Sequence, residues 1–172
     1  MKTKAIALLA LIFSLCLVNY SIYNKEQLIE HGRVVYLALA PVDPRSLMQG
    51  DYMALRFAMA NEINAALYSP SNKKRLANDK NHNGYAVVTA DANRVAVFKS
   101  VYAQRPLGEG EFLMRYRLRN GNVKFATNAF FFQEGHAVYY EQAKYGGFRV
   151  ADDGELLLVS LHDDNLDNLA PR

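Results

Sequence analysis

The chain begins MKTKAIALLALIFSLCLVNYSIYNKE, and no charged residue stands between Ala5 and Asn24. A helix made from such a run has no charged face to give to water, so it belongs in a membrane or at the centre of a core. At 1.5 Å per residue, Ala5 to Tyr23 reaches about 28 Å, enough to cross a thin hydrocarbon layer. Tyr20, Ile22 and Tyr23 suit the interface that follows. A cleaved leader needs a small-x-small site after the apolar run, and LCLVNYSIYNKE offers none, which favours an uncleaved signal anchor. Lys2 and Lys4 come first, so the positive-inside rule keeps the N-terminus in the cytoplasm and exports the rest. The expectation is a single-pass protein of the cytoplasmic (inner) membrane, with an anchor at residues 1–25 and an extracytoplasmic domain at residues 26–172.

The whole chain has 172 residues, one ordinary domain beside the anchor, with 51% hydrophobic and 22% charged residues. Its net charge of +3 includes Lys2 and Lys4, which leaves too little for nucleic acid to be a partner on charge alone. The single cysteine, Cys16, lies inside the apolar run. Leu15 before it is too large for a lipid-attachment site, and the exported part can build neither a disulfide nor a Cys-based zinc site. His31, His82, His136 and His162 form no i, i+4 pair, and HDDNLD lacks the glycine of a calcium loop. No metal and no cofactor is expected.

Glu26 to Gly32 reads as a short helical stalk, and VVYLALAP from Val34 as a strand ended by Pro41. Met53, Leu55, Phe57 and Met59 alternate with smaller or charged residues, the period-two pattern of a strand with one buried face. NEINAALYS suits a helical turn, and SPSNKKRLANDKNHNG an exposed loop. Strands are expected at Tyr85–Thr89, Arg94–Tyr102 and Glu111–Arg119. A helix is expected from about Gly135 to Lys144, capped by Gly146 and Gly147, with Tyr140, Ala143 and His136 on the stripe facing the sheet. ADDG then turns GFRV into ELLLVSL, and HDDNLDNLAPR reads as a polar tail. The fold class is α+β: mainly antiparallel sheet or a partial barrel with one packed helix, preceded by a transmembrane helix.

The clearest local geometry is EFLMRYRLRNGNVKFAT. Asn120-Gly121 is the preferred type I′ hairpin dipeptide, because both central residues need positive φ. It pairs Arg119 with Asn122, Leu118 with Val123, Arg117 with Lys124 and Tyr116 with Phe125. Arg115, Arg117, Arg119 and Lys124 then share one face. A solvated sheet face is the plain reading of those four cations, and a strip touching anionic lipid or an acidic polymer is the functional one.

PVDPRSLMQGDYMALRF packs two prolines, a glycine and two aspartates ahead of a strand. Asp43 and Asp51 could face each other as an acid/base pair, but Asp before Pro and Asp after Gly are ordinary turn chemistry. Asp43 and Arg45 suit a charged pair holding the loop. SLMQGDYMAL is also similar to a stretch of type I signal peptidases, yet the position of their serine nucleophile holds Val42. GDYMALRF resembles the signature of the GDYXXLXY family, with Gly50, Asp51, Tyr52 and Leu55 matching and Phe57 in place of the last tyrosine. PVDPRSLMQ and FFFQEGHAVYYEQAKYGGFRV are similar to other shared stretches of that family. The resemblance implies a membrane-anchored bacterial protein often encoded beside a multi-spanning membrane protein, and it supplies no catalytic residue. The expected function is accessory or binding work with an integral-membrane partner, with Asp43, Arg45, Gly50, Asp51, Tyr52, Arg115, Arg117, Arg119 and Lys124 as candidate contact residues. The alternative is an extracytoplasmic hydrolase using Asp43 and Asp51.

Overall fold

A computed structural model describes residues 2–40, 48–49, 52–69 and 81–171. Its contacts divide the chain into two units, Met1–Gly32 and Arg33–Arg172.

The first unit is one helix, α1 (Lys2–His31). The stalk expected at Glu26–Gly32 is the end of this same helix, closed by Gly32 N donating to Leu28 O at 3.0 Å. Within α1, the 26-residue stretch Ile6–His31 contains an 18-residue window with a mean hydropathy of 2.1, long and apolar enough to cross a membrane. Its large side chains, among them Phe13 and Leu9, stand exposed. Asn19 turns its amide back onto Leu15 O at 2.9 Å, so the polar group within the run is satisfied by the helix itself.

Among the described residues, the second unit has ten strands and two short helices. The strands are β1 (Arg33–Ala38), β2 (Met48–Gln49), β3 (Tyr52–Ala54), β4 (His82–Ala90), β5 (Ala96–Val101), β6 (Phe112–Arg119), β7 (Asn122–Lys124), β8 (Ala129–Phe131), β9 (Tyr145–Val150) and β10 (Leu156–His162). The helices are α2 (Ala58–Leu67) and α3 (Ala137–Tyr140). All named strand pairs are antiparallel, in the orders β1-β9-β10, β2-β3-β8 and β5-β4-β6-β7. Single contacts join these sheets. Tyr36 N donates to Arg94 O and Arg115 N to Gly154 O, and Leu39 bridges Phe57. The result is the expected α+β class, a half-barrel of antiparallel strands wrapped around one core.

That core is aromatic at its centre. Phe57 meets Phe125 at 5.8 Å and Phe148 at 5.3 Å, both edge to face, which adds a directional term to plain area burial. Met53, Leu55 and Phe57 are buried as their alternation requires. The strand nevertheless ends at Ala54, and Met59 belongs to α2. From Ala58 the burial period becomes helical, with Met59, Ile63 and Leu67 buried at i, i+4 and i+8.

Other expectations need correction. Only one helical turn, α3, forms where a helix from Gly135 to Lys144 was expected. Tyr140 and Ala143 are buried as foreseen, whereas His136 is half-buried and sets its ring against Tyr139. Gly146 and Gly147 do not cap it. They lie in β9 between β1 and β10, where a Cβ on Gly146 would come 3.0 Å from Phe57 Cε1 and one on Gly147 2.6 Å from Ser160 Oγ. Sheet packing needs their missing side chains, and that requirement outweighs any helix-ending role. β4 begins at His82 and so takes up the end of the polar stretch read as loop. Arg94 sits outside β5 at φ 63°, in a turn where Asp91 Oδ1 accepts from Asn93 N and Val95 N. The tail after β10 is folded back. Asp163 Oδ1 accepts from Asn165 N and Asp167 N, and Leu169 N donates to Leu161 O.

That tail also fixes a buried imidazole. His162 Nδ1 lies 2.9 Å from Leu166 O, so it carries the proton, and Nε2 accepts from the Ser160 hydroxyl at 2.8 Å. Ser160 follows a bulge in β10, and its Oγ fills the space that a side chain on Gly147 would take. The pair is spent on packing the β9–β10 seam.

Candidate functional site

The hairpin at Asn120-Gly121 positions the site. Asn120 has φ 51° and Gly121 φ 77°, as a type I′ turn requires, and Arg117 pairs with Lys124, Leu118 with Val123 and Arg119 with Asn122. β6 alternates buried and exposed side chains from Met114 to Arg119, so the expected cationic face exists. Its members differ in their duties. Arg117 Nη2 donates to Phe125 O at 3.1 Å and Ala126 O at 3.0 Å. Arg119 donates to His82 O, Leu118 O and Asn83 Oδ1. Arg115 stands exposed, whereas Lys124 is half-buried.

Those bonds predict a split within the strip. Arg117→Gln should lower unfolding free energy by about 1 kcal/mol or more by removing a charged donor from two carbonyls, whereas Arg115→Gln should change it little. Chemical denaturation of the two variants measures the difference.

β7 is the outer strand of its sheet. Between it and the segment from β3 into α2 lies a cleft of about 660 Å³, a size that suits a small ligand. One wall is Ala54–Phe57 continuing into Ala60, Asn61 and Asn64 on α2. The other is Asn122–Phe125, with Asn128 beyond. Leu55, Phe57, Val123 and Phe125 form its apolar base, and Arg56, Lys124 and the asparagines its polar lining. Neither Arg56 nor Lys124 makes a salt bridge among the described residues.

Asn61 and Asn64 share one face of α2 at i, i+3. Asn64 Oδ1 is buried with no hydrogen-bond partner among the described residues. Val123 sits opposite Leu118, the pair between the two hydrogen-bonded pairs of a two-residue hairpin. Its N–H and C=O therefore turn away from β6 and toward the cleft.

Of the described residues singled out by sequence, the cleft gathers Lys124 alone. Tyr52 is half-buried on β3 with its ring 5.6 Å from that of Phe131. Asp43, Arg45, Gly50 and Asp51 lie outside the described residues. The described residues bring no three His, Cys, Asp or Glu side chains together as a metal site. Arg56, Asn61, Asn64 and Asn128 were missed because nothing in their local spacing marks them. The available signal was the position of Arg56 inside GDYMALRF.

The chain matches the family described as GDYXXLXY protein over residues 14–161. No curated protein and no solved structure gives a match.

Proposed function

Because the chain belongs to the GDYXXLXY family, we propose that it is a binding domain tethered to the outer face of the cytoplasmic membrane, working beside a multi-spanning membrane partner. The observation that carries this reading is the wall of the cleft. Leu55, Arg56 and Phe57, the end of the family signature, supply it, while the signature's apolar residues hold that wall to the core. Phe57 serves there through its ring, packed between Phe125 and Phe148, so the hydroxyl of the family's tyrosine is dispensable for this duty. Arg56 and Lys124 make the cleft a place to hold a ligand. The length and apolarity of α1 support the tether, and Lys2 and Lys4 ahead of its apolar run support the exported orientation.

Two measurements test the tether and the partner. The purified protein should retain Met1 and stay with membranes through alkaline washing. A mature mass beginning between residues 18 and 30 would overturn the anchor. A benzophenone side chain in place of the exposed Tyr139, illuminated in intact membranes, should give a discrete adduct with an integral-membrane protein. Adducts confined to soluble proteins would overturn the partner.

A further inference from the structure

We infer that the cleft takes a small anion that also carries hydroxyl groups, of the sugar-acid or sugar-phosphate class. This deepens the binding-domain reading and rests on it, while membrane retention and partner crosslinking test that reading without any ligand.

Arg56 and Lys124 line the cleft from opposite walls, one at the end of the signature and the other on β7, and neither makes a salt bridge among the described residues. Two like charges facing one space repel each other, and an anion between them removes that cost and adds charge-assisted hydrogen bonds.

The carboxamides narrow the class. A bare anion would be served by the cations alone, but Asn61, Asn64 and Asn128 also border the space. Each carboxamide both donates and accepts, and so does each hydroxyl of a sugar. Asn64 Oδ1 is buried and unpartnered among the described residues, a costly state that a ligand hydroxyl relieves when the side chain turns to meet it. Val123 adds a backbone donor and acceptor from the outer edge of β7.

The test is calorimetric titration of the full chain in detergent micelles with D-glucuronate, D-glucose-6-phosphate, D-glucose and inorganic phosphate as separate arms. At least one sugar anion should bind saturably and about tenfold more tightly than both glucose and phosphate. The better of the two tells a carboxylate from a phosphate source. Arg56→Gln and Lys124→Gln should each weaken that binding about tenfold or more, with the melting temperature of the unliganded protein unchanged. Binding of neither sugar anion, phosphate binding as tightly as both, or folded variants with undiminished affinity would each overturn the assignment.

Discussion

Gly84→Ala should lower the stability of the unit from Arg33 onward by about 3 kcal/mol, the upper part of the usual range for forcing a methyl into a packed site. Gly84 stands directly opposite Tyr116 in the β4–β6 pair, and a Cβ there would lie 2.5 Å from both Cζ and Oη of the tyrosine. The ring therefore lies across the glycine. It cannot swing away freely, because Tyr116 is 1% exposed, sits edge to face with His82 at 6.1 Å and belongs to the continuous core with Met114 and Leu118. Burial also pushes the pKa of its phenol up, which reflects how little solvent reaches that end of the ring. Relief must come from an off-rotamer tyrosine or from parting of the two strands, and each has a cost.

For a domain of this size the melting temperature should fall on the order of 10 °C. Gly135→Ala is the matched control. It has φ +82° and nothing within 4 Å of where the alanine methyl would stand, so only backbone strain, about 1 kcal/mol, is expected. Shortening the opposing residue in the double variant Gly84→Ala/Tyr116→Leu should recover part of the methyl's cost relative to Tyr116→Leu alone. A Gly84→Ala protein that melts with the wild type would contradict the packing described for β4 and β6.

The same pair shows what could be read along the chain and what could not. Features whose cause lies within a few residues were legible. The Asn120-Gly121 turn dictates positive φ and a two-residue register by itself, and the observed pairs Arg117–Lys124 and Leu118–Val123 follow from it. The turn at Gly154 was legible for a similar reason, since a glycine at φ +84° closes the Ala151–Glu155 reversal.

Features whose cause lies far away were not. Gly146 and Gly147 look like a helix cap until Phe57 and Ser160, distant in sequence, are seen to occupy the space beside them. The change from strand to helix after Phe57 was hidden because Phe57 and Met59 fit period two as well as they fit the entry to α2. Only the burial of Ile63 and Leu67 beside Met59 separates the two readings. The tail looked like solvent-facing chain because its aspartates are polar, yet Asp163 uses its carboxylate on its own backbone. The cleft was least legible. Arg56 and Lys124 are far apart in the chain, and they line one cleft only because the outer strand of one sheet comes to rest beside the end of another.

The second large effect concerns which side of the membrane the domain occupies. α1 is apolar enough to span, and the two lysines at its start, Lys2 and Lys4, precede its apolar run. The proposed orientation holds that end in the cytoplasm and everything from Arg33 onward outside. Cys16, the chain's one cysteine, lies in the middle of α1, so a new thiol elsewhere reports without competition. Val138 on α3 is 63% exposed and tolerates the substitution without disturbing the core, where Tyr140 is the buried residue of that turn.

The direct measurement uses Val138→Cys in a Cys16→Ser background, in intact spheroplasts treated with a membrane-impermeant maleimide. Near-complete labelling without lysis is expected, with little further gain when the membrane is opened. Labelling that appears only after lysis would place the domain in the cytoplasm and contradict the proposal of an exported, membrane-tethered binding domain.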